Sequence, residues 1–353
     1  MDLTHFGLRQ RPFRATPDTA LYYPATGHEV ALAELRRALD EEEGLALHTG
    51  GPGTGKTLLA YRLIEGLAES TRAVFVTNTH YQLRSDLLQA ILFDLSLPYA
   101  GRSEQELRLA LTDSCLEHFQ GGGKTVVIVD EAHHLAADHL EELRLLSNLE
   151  GRHGKAMQVI LLGLPHLRQK LDEPMYAAIR QRIAVRATLE PLTLEESADY
   201  LMHHIRIAGG RPERIFDDES LELLARAGRG IPRLLNQAGH AALNLAASAG
   251  SRQVDVEAAL EAIASLGLAL EEEAAVSEAG EDELQTAAAT GHDDAVMFDK
   301  PSFGLPTLPF GTGSADEPRL ATLSGIAREP LGIVEIIHPD GTREVNGVPN
   351  RAG

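Results

Sequence analysis

Short apolar runs alternate with amphipathic stretches through residues 1–190, a pattern that predicts a sheet flanked by helices. Five runs read as strands, at 45–49, 73–77, 126–130, 157–162 and 183–186. Each is short, with little alternation, as parallel strands covered on both faces are. Helical periodicity fills the intervals, for example over 83–95, 104–119 and 139–149. Residues 191–266 hold no strand-like run and four helical patterns, at 194–207, 218–227, 232–247 and 255–264. Thr193 with Glu196, Asp217 or Asp218 ahead of an apolar face, and Pro232 in a first turn mark helix starts. The expected architecture is α/β, a five-stranded parallel sheet with flanking helices followed by a small all-helical domain. From 267 to 330 the periodicity gives way to an acidic, Pro- and Gly-rich stretch expected to be a flexible linker. Residues 331–353 predict a short β-hairpin around Pro339-Asp340-Gly341, which in isolation needs a surface to dock on.

Composition narrows the class. Hydrophobic residues at 43% and charged residues at 24% fit a globular protein. No run approaches the roughly 18 apolar residues of a spanning helix, and the N-terminus lacks the apolar stretch of a signal peptide. The single cysteine, Cys115, cannot close an internal disulfide, which suits a reducing, cytoplasmic setting, though a secreted chain without disulfides would look the same. The net charge of −20 disfavours a general DNA binder. About half of that charge lies after residue 270, so a basic face on the earlier part is compatible with it.

Residues 50–57 read GGPGTGKT, which satisfies G-x-x-x-x-G-K-[ST] between a predicted strand and a predicted helix. Gly50, Gly51, Pro52, Gly53, Thr54, Gly55, Lys56 and Thr57, with Leu58 beyond, are the candidate cradle for a nucleotide triphosphate. Backbone N–H groups turn inward around the β-phosphate at a helix N-terminus, Lys56 bridges the β- and γ-oxygens, and Thr57 holds Mg²⁺. A second string, GGGKT at 121–125, has His118 where the first glycine belongs and leads into a strand, so it reads as a loop.

The strand VVIVD ends in Asp130-Glu131, delivered to the sheet edge where α/β proteins bind ligands. Asp130 is the candidate partner of Thr57 for Mg²⁺, and Glu131 the group that polarises the attacking water. Asp130-Glu131-Ala132-His133 also spells a helicase box, but nothing after residue 190 offers a second nucleotide-binding domain. The adjacent pairs His133-His134 and His203-His204 are not expected to chelate together, because neighbours on a helix diverge by about 100°.

The strings HFGL, RPF, TPD and YY within 5–23, GGPGTGKT, VIVDEAHHL, LEELRLLSNLE (140–150), the arginines of IRQR and GIPRLLN (230–236) together resemble the ExeA/GspA-type ATPases. These are AAA+ proteins associated with type II secretion and with related pilus and exopolysaccharide systems. The resemblance covers residue 1 to about 265, and LEELRLLSNLE is its most discriminating block. It implies an AAA+ P-loop NTPase fold with a helical lid, ATP with Mg²⁺ as cofactors, and a homo-oligomer. It implies that Arg180 or Arg182 serves as an arginine finger in trans, and that Arg233 contacts the γ-phosphate from the lid. Family members usually carry GQPEL after the fourth strand, where this chain has Gly163-Leu164-Pro165-His166-Leu167. Leu164 cannot hydrogen-bond at that sensor position, so the expectation is slow hydrolysis or substitution by His166. The transmembrane and peptidoglycan-binding parts of secretion-type members give way here to the acidic linker and the hairpin.

Three functions follow from this reading. The first is an ATPase driving or regulating assembly of an envelope secretion, pilus or exopolysaccharide system, with a protein partner held through the C-terminal hairpin. The second is a nucleotide-switched binding module with weak turnover, and the third a transposition-type, DNA-associated AAA+ regulator.

Overall fold

The computed structural model describes residues 3–152, 154–268, 335–337, 343–345 and 348–349. The expected linker, apart from residues 267 and 268, lies outside the described residues, as does the turn at Pro339-Asp340-Gly341. Two compact units result, 1–291 and 292–353.

In the first unit, α1 (Thr26–Asp40) precedes β1 (Leu45–Gly50), α2 (Lys56–Glu65), β2 (Thr71–Val76), α3 (Arg84–Asp94), α4 (Glu104–Gln120) and β3 (Lys124–Val129). A 3₁₀ turn at Ala132–His134 leads to α5 (Ala137–Leu146), a two-residue hairpin of β4 (Glu150–Gly151) and β5 (Gly154–Lys155), and β6 (Met157–Gly163). The short α6 (His166–Asp172) and α7 (Ala177–Arg180) then precede β7 (Ile183–Leu189). The long strands form one parallel sheet in the order β2-β3-β6-β1-β7.

Central β1 and β6 are buried at every position, and β3 at all but its first. Edge strand β7 instead alternates strictly between buried and exposed residues, and in β2 only Val74 and Val76 are buried, with Arg72 exposed. The expected double coverage holds for the central strands, because an edge strand lacks a neighbour and part of its cover. One apolar cluster packs α3, α4 and α5 against one face, with Leu87, Ile91, Leu111 and Leu143 fully buried. A second packs α1 and α2 against the other through Leu35, Leu59 and Leu63. The amide of buried Gln158 on β6 donates to the carbonyls of Ala38, Leu39 and Glu43, satisfying the end of α1.

Five helices follow, α8 (Leu194–Ile207), α9 (Pro212–Ile215), α10 (Asp218–Ala227), α11 (Pro232–Ser248) and α12 (Val256–Ser265). Thr193 and Glu196 form a capping box on α8, Asp217 caps α10, and Pro232 opens α11. Their shared core takes in Phe6, Leu8 and Phe13 from the start of the chain. The N-terminal segment is therefore packed into the helical layer, a long-range contact that local periodicity does not reveal.

The second unit contains β8 (Glu335–Ile337), β9 (Arg343–Val345) and β10 (Val348–Pro349), an antiparallel sheet in the order β10-β9-β8. The hairpin read from the sequence gains a third strand.

Candidate functional site

The chain leaves β1 at Gly50, turns through 51–55 and enters α2 at Lys56. That path needs left-handed backbone at Gly53 (φ 78°) and Gly55 (φ 106°), conformations that cost residues with a Cβ about 1–2 kcal/mol. Close neighbours add a steric demand. A Cβ at Gly50 would lie 2.9 Å from the Leu189 carbonyl oxygen, and one at Gly53 would lie 2.9 Å from Cβ of Arg233. Beneath the loop, buried His28 of α1 places Nε2 2.9 Å from the Thr54 carbonyl oxygen. Its pKa is lowered, chiefly by burial. Lys56 is nearly enclosed and its Nζ donates to the carbonyls of Gly50 and Gly51, both at 2.9 Å. Burial lowers the lysine's pKa, and the Glu131 and Asp130 carboxylates oppose that shift.

Asp130 follows β3, and its N–H donates to the Val76 carbonyl, which carries the β2–β3 ladder one residue further. The Thr57 hydroxyl donates to Asp130 Oδ2 at 2.6 Å, while the Glu131 N–H donates to Oδ1 at 2.9 Å. Glu131 itself sits at φ 52°, an uncommon conformation for a residue with a side chain, and the Thr79 hydroxyl donates to its carbonyl at 3.0 Å. The strain aims a half-exposed carboxylate across the end of the sheet. A hydroxyl, two acids and an ammonium group converge with inward-curving backbone, a donor set that fits Mg²⁺ and a triphosphate.

A cavity of about 350 Å³ opens on this point, lined by Gly53, Lys56, Thr57, Leu58, Glu131 and Leu164 on the sheet side. Its other wall comes from the N-terminal segment, including Arg14, Thr16 and Asp18, and from Tyr200, His204, Arg233, Asn236 and His240 of the helical layer. The Arg233 N–H donates to the Gly53 carbonyl at 3.3 Å, so the first turn of α11 rests directly on the glycine loop. His204 donates from Nδ1 to the Pro12 carbonyl at 2.8 Å, stacks on Phe13, and is pushed down to about 4 by burial. Sequence reasoning assigned no role to His28, to residues 14–18 or to the wall of α8. The TPD string was visible, but only the fold brings it opposite the glycines.

Arg180 and Arg182 do not line this cavity. The guanidinium of Arg180 is held by the Asp172 carbonyl at 3.1 Å, whereas Arg182 is exposed. Leu164 is on the cavity wall, but His166 is not. The His166 ring instead meets His133 edge-on at 4.8 Å. The GGGKT string forms a turn entering β3, where Lys124 pairs with Glu42.

His133 and His134 sit on the 3₁₀ turn after Glu131, and their ring centroids are 4.0 Å apart, closer than the expected divergence of neighbours on a helix. One ligand atom from each of Glu131, His133 and His134 falls within 4.8 Å of the others. Burial, with His134 and His166 nearby, pushes His133 down to about 4.

A parallel sheet in this order, a glycine loop gripping a buried lysine, and a helical layer resting on that loop define a P-loop NTPase fold of the AAA type. The AAA domain family matches residues 37–171. General secretion pathway protein A of Aeromonas hydrophila is 37% identical over 250 residues, covering 70% of this chain and 45% of its own length. The chain thus belongs with the ExeA/GspA-type AAA proteins, and it spans less than half the length of that curated relative. Among solved structures, Cdc6p of Pyrobaculum aerophilum aligns with a TM-score of 0.54 at 20% identity, over 72% of this chain and 68% of that one. The Drosophila ORC bound to DNA gives 0.57 at 17% identity, over 75% and 66%. Identities this low speak to the fold alone. No described helix is long and apolar enough to cross a membrane.

Proposed function

We infer that this chain binds ATP with Mg²⁺ and hydrolyses it to ADP and phosphate as a homo-oligomeric AAA+ ATPase. The observation that carries this reading is the 2.6 Å hydrogen bond from Thr57 to Asp130, set beside buried Lys56 on a cavity that also takes in Glu131 and Arg233.

In this mechanism the inward N–H groups of 51–57 and the Lys56 ammonium bind the β- and γ-phosphates, and Lys56 exchanges the Gly50 and Gly51 carbonyls for phosphate oxygens. Thr57 and Asp130 hold the magnesium ion, which when bound neutralises charge on those oxygens. Glu131 orients water and takes its proton as the water oxygen bonds to the γ-phosphorus and the bond to the bridging oxygen of ADP breaks. Arg233 follows the γ-phosphate from α11, so loss of that group loosens the helical layer. Arg182, exposed where Arg180 is tethered to Asp172, reaches the site of an adjacent copy.

The relationship to General secretion pathway protein A supports a role in driving or regulating assembly of an envelope secretion, pilus or exopolysaccharide system. A cytoplasmic setting and a partner docked on residues 331–353 complete this reading. A second reading, a nucleotide-controlled binding module with little turnover, is favoured by Leu164, which presents an apolar side chain to the cavity where the family carries an amide. Steady-state ATP turnover across a wide protein concentration range decides between them. Wild-type turnover that disappears in Glu131→Gln supports the enzyme. Tight ATP binding with no turnover, restored by Leu164→Gln, selects the binding module.

A further inference from the structure

Four imidazoles gather on one side of Glu131, apart from the glycine loop. His133 and His134 come from the turn after β3, His80 from the segment after β2, and His166 from the start of α6. The His80 ring lies 4.5 Å from that of His134, and His166 lies 4.8 Å from His133. A compact group of rings has a bland origin when each nitrogen is satisfied by the fold. That origin does not suffice here, because Nδ1 of buried His133 has no hydrogen-bond partner and faces the Glu131 carboxylate at 3.3 Å. Lys170 donates to the carbonyls of His133 and Leu135 and so holds the turn in place from behind.

We propose that Glu131, His133 and His134 form a site for a borderline-soft divalent transition metal, of which zinc is the physiological candidate. Two imidazoles and one carboxylate, completed by water, are a donor set that zinc accepts at about 2.0–2.2 Å. Ligand atoms now within 4.8 Å of each other need only side-chain rotation to close on one ion, and two of the three residues are exposed enough to rotate. Magnesium does not compete, since it selects oxygen ligands in octahedral array. The site lies beside the Asp130–Thr57 pair without using either residue, and takes Glu131, the acid proposed above to orient water. Occupancy draws the Glu131 carboxylate toward the imidazoles, so the metal acts as a brake on hydrolysis. That consequence rests on the ATPase reading above, whereas the metal site itself does not.

The test titrates full-length protein with Zn²⁺ against a chromophoric chelator, with excess magnesium present, and with Co²⁺ to read d–d absorption. Wild type binds one zinc ion. His134→Ala and Glu131→Gln weaken it by at least about 10-fold, the lower end of what even a supporting contact is worth. His118→Ala, which removes an imidazole on α4 outside the cluster, leaves the affinity unchanged. No zinc binding, or equal binding by wild type, His134→Ala and Glu131→Gln, overturns the site. ATP turnover is measured in parallel. Zinc inhibition of wild type that is lost in His134→Ala supports the brake, and equal inhibition of both overturns it. A chain that binds zinc through these residues but never turns over ATP removes the enzymatic reading and leaves the metal site standing.

Discussion

Replacing Gly53 with alanine isolates the link between the glycine loop and the helical layer. At φ 78° the added Cβ costs about 1–2 kcal/mol for left-handed backbone. It also arrives 2.9 Å from Cβ of Arg233 and 3.1 Å from Cγ2 of Ile231, at the root of α11. Neither is the far end of a flexible side chain, so the loop or the helix start must give way. In the free protein that strain is relieved by opening the 3.3 Å contact between the Arg233 N–H and the Gly53 carbonyl. In the proposed mechanism ATP is held by the loop and Arg233 together, so the cost reappears as weaker affinity, by about 5- to 30-fold for 1–2 kcal/mol. Gly27→Ala on α1, outside the loop, is the internal control. Its Cβ would meet nothing within 4 Å, so affinity stays near the wild-type value. Titration with a fluorescent ATP analogue, with thermal unfolding to establish that both variants fold, measures the difference. Equal affinities for Gly53→Ala and wild type would refute the coupling.

Arg108 grips the fully buried Glu142 with two 2.7 Å hydrogen bonds, so Arg108→Leu leaves a buried charge alone and costs about 3–5 kcal/mol by urea unfolding. Adding Glu142→Leu recovers most of that, and a loss under about 1 kcal/mol in the single variant contradicts the assignment. Buried His48 and His204 are pushed down to about 4, so the unfolded chain takes up protons that the folded one refuses between about pH 4 and 6.5. Stability is therefore unpenalised above pH 6.5 and declines as pH falls through that window. A melting temperature unchanged from pH 7 to 5 in wild type would show the imidazoles exposed. Arg182→Ala lowers turnover by up to about 10³–10⁵-fold without lowering ATP affinity, and mixing it with Lys56→Ala protein restores activity if the finger acts in trans. Failure of that mixture to recover any turnover removes Arg182 from the neighbouring site.

The glycine loop, the acidic strand end and the helix starts at Thr193, Asp217 and Pro232 were legible in the chain because their physics is local. Left-handed glycines, a hydroxyl one residue after a lysine, and capping side chains act within a few residues of themselves. The five strands of the main sheet were equally plain from apolar runs, unlike the short β4, β5 and β10. Which strands lie at the edge was not, since burial on two faces depends on neighbours far along the chain, and β7 alternates only because β1 flanks it on one side. The same distance hid Phe6 and Phe13 in the helical core, His28 under Thr54, and the partnership of Arg108 with Glu142. Adjacent histidines looked divergent as a matter of helical angle, but a 3₁₀ turn held by Lys170 draws their rings together beside Glu131. Chemistry carried by one continuous segment is written in the sequence, whereas contacts between segments exist only once chain closure has fixed their distance.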